Sequence, residues 1–209
     1  MNVLEIKYLN NCISDVEMEY IKKCIPIRYK ECQEYKSIEA RNLSLLSRMM
    51  ICNNIKVREE EIKLNKLKKP YVENGPYFNI SHSKDYVVFV KSEKPIGIDI
   101  EYVNEKNLNI LNYAYTENER EYILNAPDNL SQVERLTKFW TIKESLFKAS
   151  GSEKYIEPKN IEVDDKTKLS FLGETYNINS FKHEDFFVSV ASIIQYDDIL
   201  FTKDTILRG

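Results

Sequence analysis

Residues 85–103, DYVVFVKSEKPIGIDIEYV, constrain the fold more than any other stretch of the chain. YVVFV is apolar at every position, so a strand made from it must be covered on both faces. GIDIEYV alternates. In an extended chain Ile96, Ile98, Ile100 and Tyr102 share one face, and Asp99 and Glu101 share the other. The two runs read as buried strands joined by a polar turn at Lys91–Pro95. The two carboxylates stand about 6.5–7 Å apart along the strand. They read either as the solvated face of an edge strand or as two ligands converging on one hard cation such as Mg²⁺. The doubly apolar neighbour disfavours a face freely open to water.

A helix read over 131–150 raises a second question. On it Phe139, Trp140, Ile142, Leu146, Phe147 and Ala149 form a broad apolar face. Lys143 falls between Phe139 and Phe147, while Glu144 and Lys148 lie at one margin. A lysine among aromatics either snorkels, its stem on the apolar face and its ammonium in water, or turns inward toward an anion.

The rest of the chain supplies the setting. Residues 3–9 read as a strand. Helices follow over about 14–24 (broken by Pro26), 28–36 and 37–53, the last capped by Ser37. EEEIKLNKLKKPYVENG is a polar connection with a strand-like centre, ending in a turn at Asn74-Gly75. YFNISHS is extended. Helices at 106–113 and 117–125 precede the long helix, which Gly151 stops. NIEVDD, KLSFLGETYNINSF and FFVSVASII read as three closing strands. Each half thus gives helices followed by strands. That pattern predicts an α+β fold of two halves, 1–103 and 104–209.

Composition excludes several classes. The formal net charge of the 209 residues is −3, without the basic excess of a general nucleic-acid binder. No apolar run approaches a membrane span, and MNVLEIKYLNNC lacks the pattern of a signal peptide. Cys12, Cys24, Cys32 and Cys52 are irregularly spaced and read as reduced cytoplasmic thiols. The only two histidines, His82 and His183, rule out a histidine-rich metal centre.

The charged residues left over propose a site. Asp99, Glu101 and Glu144 would hold a divalent metal, while Lys143, Lys148, His82, Lys69, Arg28 and Arg41 would hold phosphates. Such a set suits phosphoryl transfer from a pyrophosphate, where catalysis is mainly positioning and charge neutralisation.

The order KPY, FNISHS, PIGIDIE, FWTIKESLFKASG, over roughly 26–151, resembles the Sfp-type 4′-phosphopantetheinyl transferases. SHS alone is nonspecific, but GIDIE followed some forty residues later by WxxKExxxK is highly specific. The resemblance implies two similar α+β halves related by a pseudo-twofold, with coenzyme A in the cleft between them. It implies Mg²⁺ (or Mn²⁺) on Asp99, Glu101 and Glu144, and coenzyme A phosphates on His82, Lys69, Lys143 and Lys148. Arg28 and Arg41 would match cations around the adenosine 3′-phosphate. The catalytic pair would be Glu144 and Lys148, with Glu144 as general base or as metal ligand alone. The acceptor would be a serine of an apo acyl or peptidyl carrier protein, with no nucleic acid or membrane as partner. A monomer is expected, because the two halves of one chain complete the cleft. Glu119 matches an acidic position of the family, and with Thr116 it also fits a capping box, the reading adopted here. Two departures stand out. Lys68 replaces a frequent glycine before the KP pair. SEKYIEP follows KASG where the family is richer in glycine, in a segment that would line the pantetheine arm or the carrier contact.

Overall fold

The computed structural model describes residues 2–207, apart from the side chains of Lys106 and Asn107. The chain forms two compact units. One runs to Glu93 and resumes at Tyr196; the other is Lys94–Gln195. They are called here the terminal and the central unit.

In the terminal unit, strand β1 (Val3–Asn10) leads to helix α1 (Asp15–Cys24). Ser14 and Glu17 form a capping box there, and Lys22 and Lys23 close the last turn, as the helix dipole favours. Pro26 does more than end α1: it opens the short helix α2 (Pro26–Glu31) at a position where its missing N–H costs nothing. The buried Glu59 accepts from the amides of Ile27 (2.8 Å) and Arg28 (3.1 Å), satisfying two orphan donors of α2. Helix α3 (Ile38–Ile55) starts at Ser37, whose hydroxyl accepts from the Ala40 amide. Its Leu45, Leu46, Met49 and Met50 are fully buried in a core with Phe78, Val87 and Phe89. A small hairpin follows, β2 (Ile62–Leu64) with β3 (Pro70–Val72), and then a larger one, β4 (Tyr77–Ser83) with β5 (Tyr86–Ser92).

The central unit begins with β6 (Ile96–Tyr102). Helices α4 (Leu111–Ala114), α5 (Glu117–Leu124) and α6 (Asn129–Ser150) follow, then β7 (Lys168–Phe171), β8 (Glu174–His183) and β9 (Phe186–Ser192). Asp128 caps α6, and Gly151 ends it in the left-handed region, φ 63°. The sheet order is β6-β9-β8-β7. Leu136, Phe139, Ile142, Leu146 and Ala149 of α6 bury against Leu169, Phe171, Tyr176, Ile178 and Ala191. Each such leucine, isoleucine or phenylalanine contributes about 1.5–3 kcal/mol on burial. The α+β class and the long capped helices match the sequence reading.

Several expectations are corrected. Lys91–Pro95 is not a hairpin turn. β5 pairs with β1 and β4, whereas β6 pairs with β9, so the chain passes there from one unit to the next. The division therefore lies at Glu93/Lys94, not at 103/104. The chain also returns: β10 (Asp198–Lys203), which the sequence reading did not foresee, pairs in parallel with β1 in a sheet of order β10-β1-β5-β4. A period of two reveals a strand but not its partner. Finally, NIEVDD is no strand. Ile161 and Val163 are buried in strand-like alternation, but side chains take their backbone groups: the Val163 amide donates to Glu119 (2.8 Å) and the Ile161 carbonyl accepts from Lys143. The helix expected over 106–113 is shorter as well, a 3₁₀ turn at Glu105–Ile110 leading into α4.

Lys68 explains one family departure. It has φ 61°, a region where side chains other than glycine are disfavoured. The tight loop around it is held by Asn65, whose side-chain oxygen accepts from the amides of Leu67 (3.0 Å) and Lys69 (2.8 Å). Lys68→Gly is expected to keep the fold and raise its stability by up to about 1 kcal/mol. Urea unfolding checks this; a clear loss of stability would contradict it.

Candidate active site

Side chains of β6 divide as its alternation requires. Gly97, Asp99 and Glu101 share a face with Ala191, Ser189 and Phe187, their register partners on β9. Helix α6 packs on this face. A Cβ added at Gly97 would stand 2.0 Å from the Ser145 carbonyl oxygen and 2.5 Å from the Ala149 nitrogen. Helix backbone thus rests directly on strand backbone, and only glycine allows it. One turn toward the helix start, Thr141 Oγ1 lies 2.7 Å from Ser189 Oγ, which is 2.9 Å from Ser180 Oγ. These buried hydroxyls satisfy one another between helix and sheet.

This approach brings Lys148 to Asp99. Lys148 Nζ donates to Asp99 Oδ1 at 2.6 Å and to the Ile98 carbonyl at 3.3 Å. Asp99 is only 3% exposed, so its face is closed to bulk water; α6 closes it, not the doubly apolar strand, which lies in another sheet. Glu144 lies one helical turn before Lys148. Burial pushes its carboxyl above the ordinary value, the charge of Asp99 pushes it further, and Lys148 pulls it back. Asp99, Glu144 and Lys148 therefore form one electrostatic group. Glu101 is two residues along the same face; its charge, after burial and Glu119, helps hold the Tyr115 phenol well above its ordinary value.

Among the described residues no three His, Cys, Asp or Glu side chains are gathered to hold a metal ion. The donor chemistry nonetheless suits a hard cation: the oxygens are carboxylate oxygens, and Asp99 and Glu144 repel each other, which a divalent ion would relieve.

Lys143 requires a correction. It is 1% exposed, so it neither snorkels nor presents itself to a phosphate. Its ammonium lies 2.8 Å from Glu119 Oε2 and donates to the carbonyls of Pro158 (3.0 Å) and Ile161, 5.4 Å from the centre of the Tyr115 ring. Three partners match the three donors of an ammonium. The anion it turns toward is Glu119. The capping box of Thr116 and Glu119 forms as expected, and the same carboxylate also takes Lys143 and the Val163 amide.

In the terminal unit, Arg28 donates through Nε to Ser44 Oγ (2.9 Å) and through its terminal nitrogens to Glu31 (2.9 Å) and the Tyr35 hydroxyl (3.3 Å). Arg41 Nε is buried with no hydrogen-bond acceptor among the described residues. Arg48 was missed by the sequence reading. Burial, and then the charge of Arg28, lower its pKa. Its signal was helical spacing, since Arg41, Ser44 and Arg48 follow at three and four residues along α3. Lys69 directly precedes β3, and His82 is exposed on β4 opposite Val87.

Because Glu144 has a raised folded-state pKa, the stability its protonated form contributes is present below the ordinary glutamate range and is lost as pH rises through the folded value. Its ionised form is a net cost at neutral pH. Glu144→Gln should melt above the wild type at pH 7 without divalent cation, and the gap should shrink as pH falls toward the ordinary range. Melting curves across pH check this; a constant gap would contradict it.

A family model described as the 4′-phosphopantetheinyl transferase superfamily matches residues 95–197, nearly coincident with the central unit. The chain is 33% identical over 166 residues to the 4′-phosphopantetheinyl transferase gsp of Aneurinibacillus migulanus, covering 78% of this chain and 68% of that protein. It is 28% identical over 153 residues to the 4′-phosphopantetheinyl transferase Sfp of Bacillus subtilis strain 168, covering 69% and 68%. Similarity extends to the L-aminoadipate-semialdehyde dehydrogenase-phosphopantetheinyl transferase of Rattus norvegicus, 28% over 149 residues, covering 63% and 48%.

Proposed function

The chain belongs to the 4′-phosphopantetheinyl transferase superfamily and is an enzyme that transfers phosphopantetheine to a carrier protein, and from that premise we propose how its residues divide the work. The donor is coenzyme A, and the acceptor is a serine of an apo acyl or peptidyl carrier protein. The serine oxygen attacks the β-phosphorus. The bond from that phosphorus to the adenosine bisphosphate breaks, and adenosine 3′,5′-bisphosphate leaves with the bridging oxygen. Glu144 takes the serine proton, directly or through a water. Its place one helical turn before Lys148, in one electrostatic group with Asp99, supports this role. Lys148 balances charge that develops on the phosphoryl oxygens. Mg²⁺ or Mn²⁺, held by Asp99, Glu101 and Glu144, would neutralise the pyrophosphate. His82 and Lys69 contact coenzyme A phosphates. Arg28 and Arg41 take the 3′-phosphate, with Arg48 adding charge beside Arg28. The enzyme acts as a cytoplasmic monomer, with neither nucleic acid nor membrane as partner. No helix among the described residues is long and apolar enough to cross a membrane.

One observation carries the reading: Asp99, Glu144 and Lys148 form a single electrostatic group on β6 and α6, inside the segment that the family model matches. The test is to mix the protein with coenzyme A, Mg²⁺ and several apo carriers, and to weigh the carriers. A carrier should gain one phosphopantetheine on one serine, only with both coenzyme A and Mg²⁺ present. Hydrolysis of coenzyme A with no carrier gaining mass would overturn the assignment.

A further inference from the structure

Lys143 and Glu144 are neighbours in sequence but point to different sides of α6. At about 100° per residue, Lys143 lies nearly opposite the line of Thr141 and Ser145 that rests on the sheet. Glu144 and Lys148 lie between these two sides. On the sheet side, contact at Gly97 sets how close the helix comes. Rotation of the helix about its own axis is limited on this side by the Thr141–Ser189 contact and by the buried apolar side chains of the helix.

The Lys143–Glu119 pair supplies a fixed point on the far side. Glu119 is tied to the first turn of α5 through the Thr116 amide (2.8 Å) and to the following segment through the Val163 amide (2.8 Å). Lys143 is tied to the same segment through Pro158 and Ile161. Both side chains are 1% exposed. A buried ion pair of this kind adds little net stability, since desolvation offsets its attraction, but it defines one geometry sharply.

We infer that Lys143 and Glu119 are positioning residues: their ion pair, closed by the Pro158 and Ile161 carbonyls, fixes the rotation of α6 and so holds Glu144 and Lys148 over Asp99. The inference rests on the transferase reading for its kinetic consequence, but not for its structural one. It assigns neither residue a contact with substrate.

The test uses Glu119→Gln, Lys143→Met and the double variant. Backbone amide resonances of Asp99, Glu144 and Lys148 should shift in each. The rate per folded molecule, measured well below the melting temperature, should fall at least tenfold in each single variant. The KM for coenzyme A should stay within about twofold. The double variant should be no slower than the slower single, because the two residues act as one unit. If a single variant fails to fold, the double variant carries the same readouts, since it leaves no buried charge unpaired. Lower melting temperatures with unchanged resonances and rates would reduce the pair to a structural role and overturn the inference. A tenfold loss of coenzyme A affinity in Lys143→Met alone would overturn it in favour of direct phosphate contact. If the wild type transfers to no carrier, the functional reading fails, and the amide resonances still judge the positioning.

Discussion

The backbone contact between α6 and β6 at Gly97 is the constraint on which the central unit depends. With no side chain between them, Ser145 and Ala149 of the helix sit directly on the strand. Everything chemically notable follows from that separation. Lys148 reaches the nearly buried Asp99, Glu144 feels the charge of Asp99, and Thr141 shares hydroxyl contacts with Ser189. A larger residue at 97 would lift the helix and part these groups together. Glycine here serves close approach rather than an unusual backbone conformation.

Charge is distributed unequally around the helix. Toward the sheet, burial and then the charge of Asp99 raise the pKa of Glu144, an arrangement in which the two carboxylates disfavour each other's ionised form. Away from the sheet, Lys143 and Glu119 form a buried ion pair. Their partners at Pro158, Ile161 and Val163 let a segment without strand neighbours stay buried, because its polar backbone groups are satisfied by side chains.

What the sequence revealed depended on range. Ser37 and Gly151 marked helix ends because capping is decided within a turn. Asp99 and Glu101 could be put on one face by alternation, and Thr116 and Glu119 into a capping box by spacing. Partners distant in sequence were not legible. Ile161 and Val163 alternate as a strand would, yet their hydrogen bonds go to Lys143 and Glu119. β5 and β6 look like a hairpin, yet they belong to different sheets, and nothing local in DILFTK says that it will lie beside the first strand of the chain. Lys143 was the clearest case: the helical pattern put it among aromatics but left open whether it snorkelled or turned inward, and could not show that its anion was a side chain 24 positions earlier, at 119.

The most direct measurement of the central claim is the unfolding free energy and transferase activity of Gly97→Ala. One methyl group placed against helix backbone cannot be relieved by a side-chain rotation. The expected result is a loss of about 1–3 kcal/mol or more in urea unfolding together with loss of transfer by the molecules that remain folded. A Gly97→Ala protein that unfolds like the wild type and transfers at the wild-type rate would contradict the account.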